Sequence, residues 1–162
     1  GSTAHLSGEL FKNMARVNML HVPYKGAGPA LIDLVAGQVQ TMITGVSSTL
    51  PYVKAGRLKP LGVSSEKRQP LLPDVPTIAE QLPGYEVATW YGVFAPAGTP
   101  RPVVDKLNQS LVKIFVTPDA QARLAAVGAD ARTNSPEQFA QSVNRERAKW
   151  AVIIKESGAR AD

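Results

Sequence analysis

The chain has 162 residues, 44% of them hydrophobic, a formal net charge of +5 and no cysteine. That length suits one domain or two small lobes with a real core, and the missing cysteines exclude disulfides, thiolate metal sites and a cysteine nucleophile. No apolar run approaches the roughly 20 residues that cross a bilayer, and residues 1–16, with Glu9, Lys12 and Arg16, do not read as a secretory leader.

The positive balance is spread along the chain. Residues 1–92 carry eight Lys/Arg against six Asp/Glu, and residues 93–162 carry ten against seven. The clusters are small: Lys67-Arg68, and Arg145–Lys149, which itself contains Glu146. Basic and aromatic residues do not alternate as a single-strand nucleic-acid platform requires. The expected surface is therefore a solvated basic one that mildly favours anions, with no nucleic-acid partner.

In chain order, Leu6, Leu10 and Met14 recur every four residues behind the N-capping candidates Ser2 and Thr3, which predicts a first helix. Met19–Pro23 reads as a short strand. Pro29 then stands in a first helical turn, Leu31, Leu34 and Val35 form its face, and Gly37 stops it. Val39–Ile43 reads as a second strand, Pro51–Ala55 as a helical turn ended by Gly56, and Leu58–Val63 as a third strand. Strands at intervals of about 20 residues with helices between them predict βαβ units and a mostly parallel sheet.

Between residues 66 and 84, four prolines (Pro70, Pro73, Pro76 and Pro83) break long elements, and Thr77-Ile78-Ala79-Glu80 has the form of a capping box. Tyr85–Ala95 reads as a long strand crossing between lobes, which would put Trp90 and Tyr91 near the hinge or in the core. Pro96, Gly98, Pro100 and Pro102 mark a boundary, so 1–92 is expected to form one α/β lobe. Residues 93–162 read as helical. Val103, Val104, Leu107, Leu111, Ile114 and Phe115 line a helix begun by Thr99-Pro100. Thr117-Pro118 begins a shorter helix ended near Gly128, and Ala129–Thr133 fits an edge strand. Ser135-Pro136-Glu137-Gln138 caps a last helix that carries Phe139, Val143, Trp150 and Ile153 or Ile154 and ends at Gly158.

Ligands of open parallel sheets bind beyond the carboxyl ends of the strands. Three loops occupy that position: Gly1-Ser2-Thr3, Tyr24-Lys25-Gly26-Ala27-Gly28, and Thr44-Gly45-Val46-Ser47-Ser48-Thr49. Each leads into a helix and is rich in small or hydroxyl residues. Free N–H groups at helix starts, with Ser and Thr hydroxyls, bind anions, so together the loops would form a neutral, donor-rich cup for a carboxylate. Taken singly, each is better explained as helix capping. Enzyme signatures fail: Gly45–Thr49 lacks the second glycine of a nucleophile elbow, and Gly26-Ala27-Gly28 lacks the third glycine of a dinucleotide fingerprint. His5 and His21 have no metal-ligand spacing, and Glu9, Asp33 and Asp74 pair with nothing obvious. The expectation is no catalytic residue, no metal and no cofactor; the competing expectation is an α/β enzyme or regulatory domain with an unrecognised site.

An ordered series of short motifs resembles the substrate-binding proteins of tripartite tricarboxylate transporters, the Bug or TctC-like family. It comprises Ser2-Thr3 with His5-Leu6, Val22-Pro23-Tyr24-Lys25-Gly26, Pro29-Ala30-Leu31 with Asp33-Leu34, and Gly37-Gln38-Val39. It continues through Leu50-Pro51 with Val53-Lys54-Ala55-Gly56, Leu72-Pro73-Asp74-Val75-Pro76-Thr77, Pro83-Gly84-Tyr85-Glu86, and Phe94-Ala95-Pro96-Ala97-Gly98-Thr99-Pro100. The resemblance implies a periplasmic Venus-flytrap α/β fold that holds a small carboxylate between two lobes, partly through water, and hands it to membrane transporter subunits. It implies ligand-binding roles for Ser2, Thr3, Tyr24, Lys25, Gly26, Ala27, Thr44, Gly45, Ser47 and Ser48. Many relatives carry an acidic or amide pair where this chain has Thr44-Gly45, so a simple carboxylate or aromatic acid is expected rather than an amino acid. The resemblance also assigns 1–92 to the second lobe and 93–162 to the C-terminal part of the first, whose N-terminal sheet precedes this stretch in relatives. The apolar faces of the C-terminal helices are then expected to need cover, by an upstream segment, a rearranged fold or a second copy in a homodimer, and solute binding by this half alone is expected to be weak.

Overall fold

The computed structural model describes residues 1–159. Six α-helices run in chain order: α1 (Thr3–Ala15), α2 (Ala27–Val35), α3 (Val46–Lys54), α4 (Arg101–Phe115), α5 (Pro118–Ala126) and α6 (Pro136–Ser157), with a 3₁₀ turn at Ile78–Glu80. The chain divides into two compact units. One holds Gly1–Thr89 and the chain from Val152 onward, and the other holds Trp90–Ala151. The division falls inside the segment Tyr85–Ala95.

The helix boundaries follow the punctuation in the sequence. Ser2 caps α1 by accepting the His5 N–H at 3.3 Å, and Gly37, with φ +76°, follows the end of α2. Thr77 and Glu80 form the expected capping box around the 3₁₀ turn. Ser135 does the same for α6: its N–H donates to Gln138 Oε1 at 2.9 Å, and its Oγ accepts from Gln138 N–H at 3.2 Å. Gly128 (φ +72°) and Gly158 (φ +66°) follow α5 and α6. The third helix departs from expectation. It begins at Val46 rather than Pro51, so Ser47 and Ser48 stand in its first turn and Pro51 lies inside it. Proline there removes one N–H, while Ser48 and Thr49 turn their hydroxyls back onto Gly45 O at 2.8 Å and Val46 O at 3.1 Å. The helix thus accommodates Pro51 five residues past its first residue, where sequence reading treats the proline as a start.

The segments read as strands are all non-helical. Among the described residues, backbone pairing gathers in one patch. Val63 forms a parallel bridge with Thr77, donating to Pro76 O at 2.9 Å and accepting from Ile78 N–H at 2.9 Å. On the other side of the same stretch, Val87 N–H donates to Ser64 O at 2.9 Å. Three extended segments therefore lie side by side, and exposure alternates along Tyr85, Glu86, Val87 and Ala88 with the two-residue period of a pleated backbone. Sequence reading places strands over Leu58–Val63 and Tyr85–Ala95 but gives neither their partners nor the pairing at Thr77, because an apolar run marks an extended segment and not what it pairs with.

The buried side chains of the first unit centre on this patch: Leu6, Ser7, Val63, Val75, Thr77, Tyr85 and Val87, with Ala30 from α2. Tyr85 is 1% exposed. Its ring meets Phe11 edge-on at 6.2 Å. Its hydroxyl lies 2.6 Å from Ser7 Oγ and donates to Ser7 O at 3.1 Å, tying the patch to α1. Burial raises the Tyr85 phenol above its ordinary range. At the rim, Arg68 grips Glu80 through two bonds of 2.9 and 2.8 Å and holds that carboxyl down to about 2.

The second unit has no buried residue among those described. Arg101 bridges Asp105 and Glu137, and Asn108 Nδ2 donates to Asn134 O at 2.9 Å. Phe139 packs against Trp90 at 5.7 Å and Phe94 at 5.2 Å. Gly92 lies under the same ring, where a Cβ would collide with Phe139.

Two predictions follow from these contacts. Tyr85→Phe keeps the ring but strands the Ser7 hydroxyl and carbonyl, and should cost about 1–3 kcal/mol in urea denaturation; stability equal to the parent would show that the bond contributes nothing. Gly26 has φ +113° and ψ 172°, a backbone state costly to any residue with a Cβ, whereas Gly28 sits in α2 with open space around it. Gly26→Ala should therefore lower stability by roughly 1–3 kcal/mol, and Gly28→Ala should leave it equal or slightly higher; a thermal melt of both variants in one buffer compares them.

Candidate anion site at three helix starts

The predicted site residues fall at the N-termini of α1, α2 and α3, each for a local reason. At α1, Ser2 is the cap and Thr3 the first helical residue. At α2, Gly26 is the cap and Ala27 the first helical residue. At α3, Thr44 precedes the Gly45 cap, and Ser47 and Ser48 follow in the first turn.

The three starts differ in what they leave open. Ser2 already serves its own helix. Gly26 and Gly45 have no side chain to do so, and neither α2 nor α3 has a side-chain hydrogen bond at its cap. The first N–H groups of a helix lack intrahelical acceptors, so α2 and α3 each present unclaimed donors. None of the three helices has an acidic residue in its first turn, so nothing opposes the positive end of the helix dipole. Lys25, exposed beside the α2 start, is the single charged residue among the ten named positions.

The side chains divide by role. The Ser48 hydroxyl hydrogen is spent on Gly45 O, leaving that oxygen as an acceptor only. Ser47 is exposed and Thr3 half-buried. The Tyr24 hydroxyl donates to Asp33 Oδ2 at 2.7 Å, and this bond to a carboxylate raises the phenol above its ordinary range. Asp33 is the residue that loop-by-loop reading missed as a partner: it lies nine residues on, and only the fold-back of the loop along α2 brings it to Tyr24.

His5 and His21 also find their setting. Their rings stack at 3.9 Å with 17° between planes, and His5 Nε2 lies 3.8 Å from Glu9 Oε1. The stack holds the first turn of α1 against the segment that leads into Tyr24. Among the described residues, no hydrogen bond, ion pair or ring contact joins Thr44, Gly45, Ser47 or Ser48 to the other two starts. Nor does any group of three or more His, Asp or Glu side chains among them have the spacing to hold a metal.

Comparison with known proteins places the chain in a family. A family profile described as "Tripartite tricarboxylate transporter family receptor" (TctC) matches residues 1–159. A Pseudomonas protein named as a UPF0065 protein in the tcbD-tcbE intergenic region is 46% identical over 158 residues, covering 96% of this chain and 47% of that protein. The UPF0065 protein of the clcB-clcD intergenic region of Pseudomonas knackmussii is 35% identical, covering 95% of this chain and 92% of its own length. BugT of Bordetella pertussis is 34% identical, covering 99% of this chain and 49% of that protein. With the exception of the P. knackmussii protein, the chain spans about half the length of these curated relatives.

Solved structures agree. An R. palustris protein determined with adipate superposes with TM-score 0.87 at 41% identity, over 98% of this chain and 53% of that one. The periplasmic binding protein BugD gives 0.82 at 39%, over 98% and 54%. MatC of Rhodopseudomonas palustris with bound malate gives 0.76 at 36%, over 94% and 53%. The fold is thus the α/β fold of periplasmic binding proteins of this type, and the chain belongs to the tripartite tricarboxylate transporter receptor family.

Proposed function

We propose that this chain is the gripping part of a periplasmic solute-binding protein that holds a small carboxylate and delivers it to the membrane subunits of a tripartite tricarboxylate-type transporter, without catalysing a reaction. The observation that carries this reading is the pair of glycine-capped helix starts at α2 and α3, with donors unclaimed by any side chain, no acidic residue in the first turn, and Lys25 alongside. A carboxylate is the ligand such a surface favours. The adipate and malate held by two structural neighbours are ligands of that chemistry. Thr44-Gly45 offers no acid to meet an ammonium group, which favours a simple carboxylate or aromatic acid over an amino acid.

In this reading residues 1–92 form the ligand-binding lobe, and the starts of α1, α2 and α3 converge on one metal-free site through Ser2, Thr3, Tyr24–Ala27, Thr44, Gly45, Ser47 and Ser48. Residues 93–162 contribute helices to the other lobe. Val103, Leu107 and Ile114 on α4 are 46, 50 and 56% exposed, and this face is the surface through which two copies associate.

Calorimetric titration with adipate and malate tests the ligand class. Thr3→Ala and Ser47→Ala should each weaken binding by about 1 kcal/mol, the contribution of one neutral hydrogen bond; parent-like affinity in both would remove those residues from the site. Light scattering tests the association. A dimer is expected, with Leu107→Glu shifting it towards monomer; a parent chain that stays monomeric at high concentration would refute the dimer and leave the carboxylate reading standing.

A further inference from the structure

The bond between Tyr24 and Asp33 has a consequence for how the α2 loop meets a ligand. Asp33 lies six residues past Ala27, the first residue of α2, and so about 9 Å along the helix axis. Tyr24 precedes that helix by three residues, yet its Oη reaches Asp33 Oδ2 at 2.7 Å. The chain entering α2 must therefore fold back alongside the helix. Gly26, with φ +113° and ψ 172°, is the residue whose backbone makes that reversal. Both side chains are half-buried, whereas Lys25, Gly26, Ala27 and Gly28 between them are exposed. One bond thus closes a short loop whose tip carries the cation and the open N–H groups.

The bond also settles what the phenol offers. A tyrosine hydroxyl has one hydrogen, and here it is given to Asp33. Towards a ligand the Tyr24 oxygen is left with lone pairs only, which repel a carboxylate. We propose that Asp33 is a positioning residue of the carboxylate site: by taking the Tyr24 hydrogen it pins the Tyr24-Lys25-Gly26 turn along α2, withdraws the phenol as a donor, and leaves Lys25 and the first N–H groups of α2 to face the anion. This rests on the carboxylate-binding reading above. A bond to a charged acceptor is stronger than one between neutral groups, so a neutral acceptor at position 33 holds the turn less firmly.

Asp33→Asn, Tyr24→Phe and the double variant in the full chain, each titrated with adipate by calorimetry, test this. NMR of ring-labelled tyrosine, with Tyr24 assigned from its loss in Tyr24→Phe, supplies a readout that a merely structural role would not move. The Tyr24 phenol is raised by its bond to Asp33, so it should lose its proton at lower pH in Asp33→Asn than in the parent. Each single variant should bind adipate roughly three- to tenfold more weakly, the range for losing one ordinary hydrogen bond, and the double variant should be no weaker than the worse single one. Parent-like adipate binding in both single variants, additive losses in the double variant, or an unchanged Tyr24 titration in Asp33→Asn would each overturn the proposal while leaving the carboxylate reading intact. A parent chain that binds no member of a panel of small dicarboxylates and aromatic acids would overturn that reading and the positioning role with it; the titration would then report only on the bond.

Discussion

The first unit depends on Tyr85. Its hydroxyl and Ser7 satisfy each other at 2.6 Å inside the protein, and its ring fills the space between α1 and the extended segments at 63–64 and 85–87. A buried phenol is costly unless both the ring and the oxygen are accommodated. Meeting both conditions fixes α1 relative to the extended patch in rotation and in register. The serine contributes its carbonyl as well as its hydroxyl, so a shift of α1 by one residue would break two bonds at once. Everything upstream of the patch inherits this alignment, including the first turn of α1 and, through the stacked His5 and His21, the approach to the Tyr24 turn.

The proposed carboxylate surface is built largely from backbone. Its positive character comes from helix starts left open by glycine caps, supplemented by one lysine, rather than from a cluster of basic side chains. Fixed N–H dipoles lose little conformational entropy on meeting an anion, unlike long flexible side chains. They also discriminate poorly among anions of similar size. A receptor family that needs different carboxylates can therefore keep the loops and vary what surrounds them. In this chain Thr44-Gly45 offers no charged side chain at such a place, and Asp33 takes the Tyr24 hydroxyl hydrogen at another.

The second unit poses a different physical problem. Its helices are held by surface ion pairs, a side-chain to backbone bond and the Phe139 cluster, with no buried residue among those described. Exposed ion pairs contribute little each. Val93, Phe94, Leu107 and Ile114 remain well over 40% exposed. Apolar faces of this kind gain roughly 25 cal/mol for each Å² removed from water, so they are stable only where something covers them. The proposed association of two copies would supply such cover.

The features legible in the amino-acid order are local. Capping boxes at Thr77–Glu80 and Ser135–Gln138, the Ser2 cap and the glycine stops after α2, α5 and α6 are all set by bonds among residues within a few positions of one another, so one-dimensional reading finds them. The ordered motifs likewise sufficed to recognise the family. The start of α3 escaped because Pro51, a residue that usually opens a helix, lies inside this one. The contacts that needed the folded chain are the pairing of Val63 with Thr77 and of Ser64 with Val87, the meeting of Ser7 with Tyr85 across 78 residues, and the capture of Tyr24 by Asp33 over α2. Each of these is one choice among many partners of equal chemical type, and distance in space, which composition and periodicity do not encode, makes the choice.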